Sequence, residues 1–216
     1  NIYRALLRDR KGNYSFHPFP KVEEEGYTLQ ATDSTENILK IVVSARMRTS
    51  TPFRVYLLSH SRAGFPLAQA ANVKEGRAVF FINKEKLSDG INHFTAFDAG
   101  LKAVSERLYF KYPTSRIHIQ EEAHQEQYGP REKVTLNIAA RTENSDPVQA
   151  NLSLSVYLLD SLNDRPALTI DDFLLLTSEL KGTIEAPEFY LKTHRMDAAL
   201  DNLMLTHGWS RFGWKE

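Results

Sequence analysis

Cysteine is absent from this sequence of 216 residues. Its absence excludes three kinds of chemistry within the chain, namely thiol catalysis, disulfide bonds and thiolate zinc sites. It does not fix the cellular compartment, because many exported bacterial proteins also lack cysteine.

An excess of charge of one sign and long apolar runs are missing as well. Lysine and arginine together number 27, as do aspartate and glutamate, and no run of five like charges occurs. The chain therefore has no net field that would concentrate nucleic acid or an anionic membrane, and we predict no nucleic-acid partner. No apolar stretch reaches the roughly 18 residues of a membrane-spanning helix, so we predict no transmembrane segment in these residues.

The residues that are present suffice for folding. With 42% hydrophobic and 25% charged residues, the chain can form one large or two ordinary globular domains with real cores. It opens with NIYRALLRDRKG, without an initiator methionine or a signal-peptide pattern. We therefore expect it to be a piece of a longer chain.

Alternation of apolar and polar residues dominates roughly the first 160 positions. Ile41 and Val43 share one face of ENILKIVVSAR, and Val55 and Leu57 share one face of TPFRVYLLSHS. Similar segments follow at intervals of about 8 to 14 residues, separated by turn clusters: GRAVFFINKE, GINHFTAFDAG and VSERLYFKYP. Short strands without intervening helices predict antiparallel sheets, and we place a seven-stranded or similar β-sandwich domain at 27–113.

A second set of strands is predicted after Pro113, which cannot donate to a β-ladder and marks a natural boundary. Its strands are RIHIQEEA, REKVTLNIAAR and ANLSLSVYLLD. In REKVTLNIAAR, Val134, Leu136 and Ile138 share one face. We place a second β domain, with helices toward its end, at 114–216.

The periodicity becomes helical from Thr169. Thr169 and Asp172 have the spacing of a capping box, and Gly182 is a stop signal, so a helix is predicted near 170–181. A second helix is predicted near 194–207. Its apolar side is formed by Met196, Leu200, Leu203, Met204 and His207.

Both tryptophans lie in the last eight residues, WSRFGWKE. We predict that Trp209, Phe212 and Trp214 form an interdomain or interaction surface at the junction with a following domain. Trp209 is expected to be buried against the second β domain, and Trp214 is expected to be more exposed.

Several polar groups have structural interpretations that we favour over catalysis. Ser59, His60 and Ser61 are consecutive strand residues, so the hydroxyl and the imidazole should point in different directions. Asp171 and Asp172 fit first-turn acids that interact with a helix dipole.

The remaining polar groups also fit turns and solvated loops. Asp98 and Gly100 are expected to close a hairpin. The densest polar cluster could converge on a cation but is interpreted as a solvated loop, and it comprises Glu121, Glu122, His124 and Glu126. Because no His-Glu-x-x-His spacing occurs either, we predict no catalytic residue, no cofactor and no metal site.

The strand aromatics alternate as core residues do, which favours core or interdomain packing over a sugar-binding platform. They are Phe80, Phe81, Phe94, Phe97, Tyr109 and Phe110.

Several segments carry a resemblance to a known family. They are GINHFTAFDAGLKAVSERLYF, YGPREKVTLNIAAR, ANLSLSVYLLD, DDFLLLTSELKGTIEAPEFYL and ALDNLMLTHGWSRFGW, in that order. Over about residues 27–216 the series resembles large cell-envelope proteins of the Bacteroidetes with tandem macroglobulin-like domains. A carboxypeptidase-regulatory-like or TonB-receptor plug-like domain often follows in such proteins. The most specific parts are the FTAFD and SERL strand pair and the LMLTHGW helix end.

The resemblance implies tandem antiparallel immunoglobulin-like β-sandwich domains, with two helices at the C-terminal end. Residues 1–26 look like the closing strands of a preceding domain and a linker. The family implies an exported protein without a known catalytic residue, in the periplasm or at the outer-membrane surface of a Gram-negative bacterium. The thioester of the macroglobulins needs a cysteine, so covalent protease trapping by these residues is excluded.

Three hypotheses for function follow. The leading one is a non-catalytic structural or interaction module, whose partners are neighbouring domains of the parent chain and another envelope protein. The second is a carbohydrate- or ligand-binding β-sandwich of a surface polysaccharide-uptake system. The third, an enzyme fragment, requires a nucleophile, a base and an orienting group that the sequence does not assemble.

Overall fold

The computed structural model describes residues 3–19, 21–48, 52–62, 64, 66–156, 168–192 and 197–208. These residues form a mainly β structure, with eleven strands in four sheets and short helices toward the C-terminal end. The mainly β class and the antiparallel pairing that the alternation predicts are confirmed.

The first hairpin consists of strands β1 (Arg4–Arg8) and β2 (Tyr14–Pro18), paired antiparallel. Asp9 fixes its turn, because its Oδ1 accepts a hydrogen bond of 2.8 Å from the backbone N–H of Lys11. Gly12 has a φ of +89°, a left-handed conformation that glycine adopts without steric penalty. The turn residues therefore define this hairpin locally.

Seven further strands form two sheets. They are β3 (Gly26–Asp33), β4 (Ile38–Arg46), β5 (Arg54–His60), β6 (Leu67–Asn72), β7 (Arg77–Asn83), β8 (Gly90–Phe97) and β9 (Ala103–Lys111). The three-stranded sheet has the order β3-β4-β7, and the four-stranded sheet has the order β6-β5-β8-β9. Their pairings are all antiparallel. The carboxylate of Asp98 accepts hydrogen bonds from the backbone N–H groups of Gly100 and Lys102, which confirms its predicted role in closing the β8–β9 hairpin.

The two sheets share one hydrophobic core. Exposure alternates along β4, and Ile41 and Val43 are buried on one face, as predicted. Val55 and Leu57 of β5 and Phe94 of β8 join them from the other sheet. Since burying a side chain of this size contributes about 1.5–3 kcal/mol, this core holds the two sheets together.

The four-stranded sheet is buried on its second face as well, along β8 and β9. Ile91 and Phe110 form a cross-strand pair on the face opposite to Phe94, because successive strand residues point to opposite sides. They belong to a second apolar cluster with Leu108. The helical segment, which we define as residues 168–192 and 197–208, contributes Leu176, Leu180, Leu191, Leu200, Leu203 and Met204 to that cluster. This apolar contact places the helices on the sheet.

The first predicted helix is shorter and less regular than expected. One α-helical turn, α1 (Ile170–Asp172), continues as a π-helical turn over Phe173–Thr177. Thr169 and Asp172 form the predicted capping box, in which each side chain bonds to the backbone N–H of the other residue. The Ser178 N–H donates to the Phe173 carbonyl at 3.0 Å, which widens the last turn.

The helical segment contains three helices rather than the two predicted. The additional helix α2 (Pro187–Lys192) begins with proline, whose missing N–H costs nothing in a first turn. Helix α3 (Asp197–His207) lies inside the predicted range, and Leu200, Leu203 and Met204 are buried as expected. Met196 lies outside the described residues.

The second hairpin consists of β10 (His118–Ala123) and β11 (Leu136–Arg141), paired antiparallel. The strand predicted in ANLSLSVYLLD is not formed over the described residues 150–156, and the rest of it lies outside them. No strand of the described chain pairs with 150–156, and Leu152, Leu154 and Val156 are exposed. The domain boundaries predicted at 26/27 and 113/114 stay predictions. The helical segment, which lies after the second of these boundaries, packs on β8 and β9, which lie before it.

Candidate functional site

The predicted interaction surface of Trp209, Phe212 and Trp214 lies outside the described residues. The burial expected for Trp209 and the exposure expected for Trp214 therefore stay predictions. Gly208, at the end of α3, lies against β9, since a Cβ added there would be 3.0 Å from Leu108 Cδ1. An added Cβ would also overlap the Met204 carbonyl oxygen, so the backbone here has room only for glycine.

Both hairpins present apolar side chains to solvent. On the first hairpin, the cross-strand pair Leu6 and Phe16 is 55% and 65% exposed. On the second, Ile119 and Ile138 lie on one face and are 53% and 43% exposed. A two-stranded hairpin is only marginally stable in water, and exposed apolar faces of this kind mark interaction surfaces. The two hairpin faces are therefore candidate contact surfaces.

The acidic cluster lies along β10 and just beyond its end. Glu121, Glu122, His124 and Glu126 are all exposed. Among the described residues, no group of three or more histidine, aspartate and glutamate side chains is placed to hold a metal ion. The four side chains are solvated, as predicted, but Glu121 and Glu122 belong to strand β10 and not to a loop.

A groove of about 1180 Å³ lies between β3, β9 and α3. Arg107 lines it and donates from Nη2 to the Asp201 carboxylate of α3. Arg107 Nη1 is shielded from solvent and has no hydrogen-bond partner within the described part of the chain. Through the contact with Asp201, the guanidinium anchors α3 to β9.

The charged groups at the other end of the groove are paired with each other. Asp33 Oδ1 accepts a hydrogen bond of 2.8 Å from the Tyr109 hydroxyl. The same oxygen lies 2.9 Å from Lys84 Nζ. These contacts tie β3 to β9 and to the 3₁₀ turn Lys84–Lys86 that follows β7. The charged side chains that line the groove therefore contact one another, Arg107 with Asp201 and Lys84 with Asp33.

A second polar cluster lies where the helical segment meets the ends of β5 and β8. His60 and His93, paired across these strands, stack with ring centroids 4.8 Å apart and planes 11° apart. His93 Nε2 is 3.4 Å from Glu179 Oε2, and Arg62 Nε is 3.0 Å from Glu179 Oε1. We call Arg62, His60, His93 and Glu179 the histidine cluster.

The histidine cluster is substantially removed from water. The side chains of His93 and Glu179 are 12% and 14% exposed, whereas Arg62 is about half exposed. Burial, followed by the neighbouring His93, lowers the pKa of His60 below its usual value. The carboxylates of Glu106 and Glu179 oppose this shift in pKa without cancelling it.

The arrangement contains no nucleophile paired with a base at Ser59 and His60. Ser59 is buried, and His60 points to the opposite side of β5, as predicted from strand geometry. Ser61 Oγ instead donates to Ser88 Oγ at 2.9 Å. Ser61 therefore has a structural contact, and Ser59 is enclosed in the protein.

The sequence did not reveal the histidine cluster. His93 and Glu179 are separated by 86 positions, so no local pattern brings them together. The register of β5 and β8 places His60 opposite His93, so knowledge of that register would have revealed the pair. Local periodicity does not determine which strands pair or in which register.

None of the helices in the described part of the chain has both the length and the apolar character that a membrane-spanning helix needs. No protein-family model matches the sequence, and no curated protein matches it.

Proposed function

We propose that this chain is a non-catalytic structural and interaction module of a larger exported envelope protein. In this proposal, residues 26–111 form an immunoglobulin-like β-sandwich, because a three-stranded and a four-stranded antiparallel sheet share one core. The setting, the periplasm or the outer-membrane surface of a Gram-negative bacterium, rests on the resemblance to macroglobulin-like envelope proteins.

The observation that carries the proposal is the exposure of apolar residues on both hairpins. Leu6 and Phe16 on one hairpin, and Ile119 and Ile138 on the other, remain more than two-fifths exposed. Because two strands alone cannot bury an apolar face, each hairpin fits an element that neighbouring strands complete. We assign those strands to neighbouring domains of the parent chain.

The aromatic residues support this proposal over the carbohydrate-binding alternative. Phe80, Phe94 and Phe110 are buried, so they serve the two apolar clusters and are not accessible to a sugar ring. Of the six strand aromatics of the two sheets, Phe81 alone is exposed, and one ring does not make a platform. Tyr14 and Phe16 are exposed on the first hairpin, where this proposal places a contact with a neighbouring domain.

The proposal is tested by measuring one double substitution in two settings. In the 216-residue chain, Leu6→Ser with Phe16→Ser should change the free energy of unfolding by less than about 0.5 kcal/mol, since both side chains are exposed. In the longer parent chain, the same change should cost about 2–5 kcal/mol, because both side chains would be buried. Chemical denaturation gives both values.

His17→Ser is the matched control, since His17 lies on the opposite face of β2 from Phe16. It should have a small effect in both chains. Equal losses from the double substitution in the two chains would remove the basis for the proposal.

A further inference from the structure

The chain turns back on itself after β11. The Thr142 N–H donates to the Asp146 carbonyl at 2.9 Å, and the Ser145 N–H donates to the Thr142 carbonyl at 2.9 Å. Ser145 has a φ of +66°, and a residue in this left-handed conformation is typical of the end of a three-residue hairpin loop. Residues 142–146 therefore have the geometry of a turn between two antiparallel strands.

The first step of a further pairing is already made on the free edge of β11. Arg141 and Pro147 form an antiparallel bridge, and the Val148 N–H donates to the Ala140 carbonyl at 3.1 Å. Strand β10 occupies the other edge of β11, so this bond lies on the edge that no strand of the described chain covers. These contacts set one register for a continuation of the pairing beyond Val148.

That register separates apolar residues from polar ones. It places Leu152 opposite Leu136 and Ala150 opposite Ile138, all on the apolar face of the second hairpin. On the other face, it places Asn151 opposite Asn137. The same alternation holds for the rest of the segment, where the apolar positions are Val148 and Leu154 and the polar positions are Gln149 and Ser153. A shift of one residue would bring apolar side chains to the polar face, so the sequence fits this register and not its neighbours.

The structure shows the unpaired form of this segment. Residues 150–156 make no strand pairing, and Leu152 and Leu154 are 49% and 67% exposed. Pairing restricts the backbone of the segment, and the lost conformational entropy opposes it. A small sheet with an uncovered apolar face offsets that entropy only in part. The unpaired form is therefore compatible with a strand that pairs reversibly.

We propose that the free edge of β11 takes up residues 148–154 as a third strand, in the register set by Arg141 and Pro147. In the paired form, the backbone N–H groups of Ala150 and Leu152 donate to β11, and the apolar face gains a third row of side chains. The pairing does not rest on the proposed function. In that function, neighbouring domains then supply the strands beside β10.

Disulfide trapping in the 216-residue chain tests the register, because the chain has no cysteine of its own. Asn137→Cys with Asn151→Cys creates a directly opposed pair that lies between two hydrogen-bonded pairs. The Cα atoms of such a pair are about 4.5 Å apart, a distance at which a disulfide can close. Two control chains combine Asn137→Cys with Gln149→Cys or with Ser153→Cys. Their diagonal pairs are about 7–8 Å apart in the proposed strand, which is too far for an unstrained disulfide.

The effective concentration of each cysteine pair is measured at equilibrium with reduced and oxidised glutathione. In an unpaired segment, closure becomes steadily less favourable as the loop lengthens, so the pair with position 149 would give the highest value. In the proposed register, the pair with position 151 should exceed both control pairs by at least about tenfold.

Hydrogen exchange of the chain with Asn137→Cys and Asn151→Cys shows whether the trapped segment is a strand. The amides of Ala150 and Leu152 face β11 in the proposed register, whereas that of Ser153 points away from it. Relative to the reduced form, the disulfide form should show about threefold to tenfold more protection of Ala150 and Leu152, with Ser153 unchanged. Protection of β4 should be the same in both forms.

Two results would overturn the third strand. One is an effective concentration at position 151 that does not exceed those at both 149 and 153. The other is equal protection of Ala150, Leu152 and Ser153 in the disulfide form. Neither measurement involves the longer parent chain, so a failure of the third strand is distinguishable from a failure of the proposed function.

Discussion

At the residue scale, burial separates the side chains that hold the structure from those that face outward. Phe94 is fully buried between the two sheets, whereas Phe81 is 58% exposed on β7. Both belong to the aromatic set whose alternation indicates core packing. Phe80 and Phe81 are adjacent on one strand, so only one of them can face the core.

Truncation of these two rings should have unequal effects on stability. Phe94→Ala should lower the free energy of unfolding by about 3–5 kcal/mol, because it removes a ring from a close-packed core and leaves a cavity. Phe81→Ala should cost less than about 1 kcal/mol, since the ring is already largely hydrated. Urea denaturation of both variants and of the unsubstituted 216-residue chain gives the comparison. Similar losses of stability in the two variants would contradict the assigned core.

At the element scale, the helical segment is fitted closely against β8. Gly90, at the start of β8, has a φ of +86°, and a Cβ added there would lie 3.0 Å from the Leu175 carbonyl oxygen. The strand and the π-helical turn therefore approach each other at backbone distance. Gly26, at the start of β3, has no atom within 4 Å of an added Cβ.

Substitution of these two glycines tests that close approach. Gly90→Ala should destabilise the protein by about 1–3 kcal/mol, because alanine is strained at positive φ and meets Leu175. Gly26→Ala is the matched control and should change stability by less than about 0.5 kcal/mol. Thermal unfolding of the two variants and of the unsubstituted chain measures both changes in stability. A neutral Gly90→Ala variant would show that the helical segment does not lie on β8 as described.

The capping box at the start of α1 provides a second test at this scale. Thr169→Ala removes the hydroxyl that accepts from the Asp172 N–H at 3.1 Å, and it should cost about 1 kcal/mol. Asp171→Asn changes a neighbouring first-turn acid and should cost only about 0.3–0.5 kcal/mol through the helix dipole. Denaturation followed by circular dichroism near 222 nm should show the difference. Equal effects would mean that the cap does not stabilise the helical segment.

The sequence predicted elements whose pattern is local and missed features that depend on distant contacts. The alternation around Ile41 and Val43 placed β4 correctly, because a strand buried on one face must alternate. Helix α2 has only six residues, too few to show a helical period. The pairing of Glu179 with His93 depends on the docking of the helical segment, which follows from tertiary packing.

At the scale of the whole molecule, two apolar clusters organise the described chain around the four-stranded sheet. One cluster joins it to the three-stranded sheet, and the other joins it to the helical segment. The first and second hairpins differ from this central part, since their apolar residues are exposed. In the proposed function, neighbouring domains of the parent chain complete both hairpins.

The most direct test of this claim is amide hydrogen exchange of the two hairpins in the 216-residue chain and in the longer parent chain. Strand amides of Arg4–Arg8 and His118–Ala123 should be weakly protected in the shorter chain, because a hairpin without further strands opens readily. In the longer chain their protection should rise by at least about a hundredfold, while that of β4 stays the same. Equal protection of both hairpins in the two chains would contradict the proposal that neighbouring domains complete them.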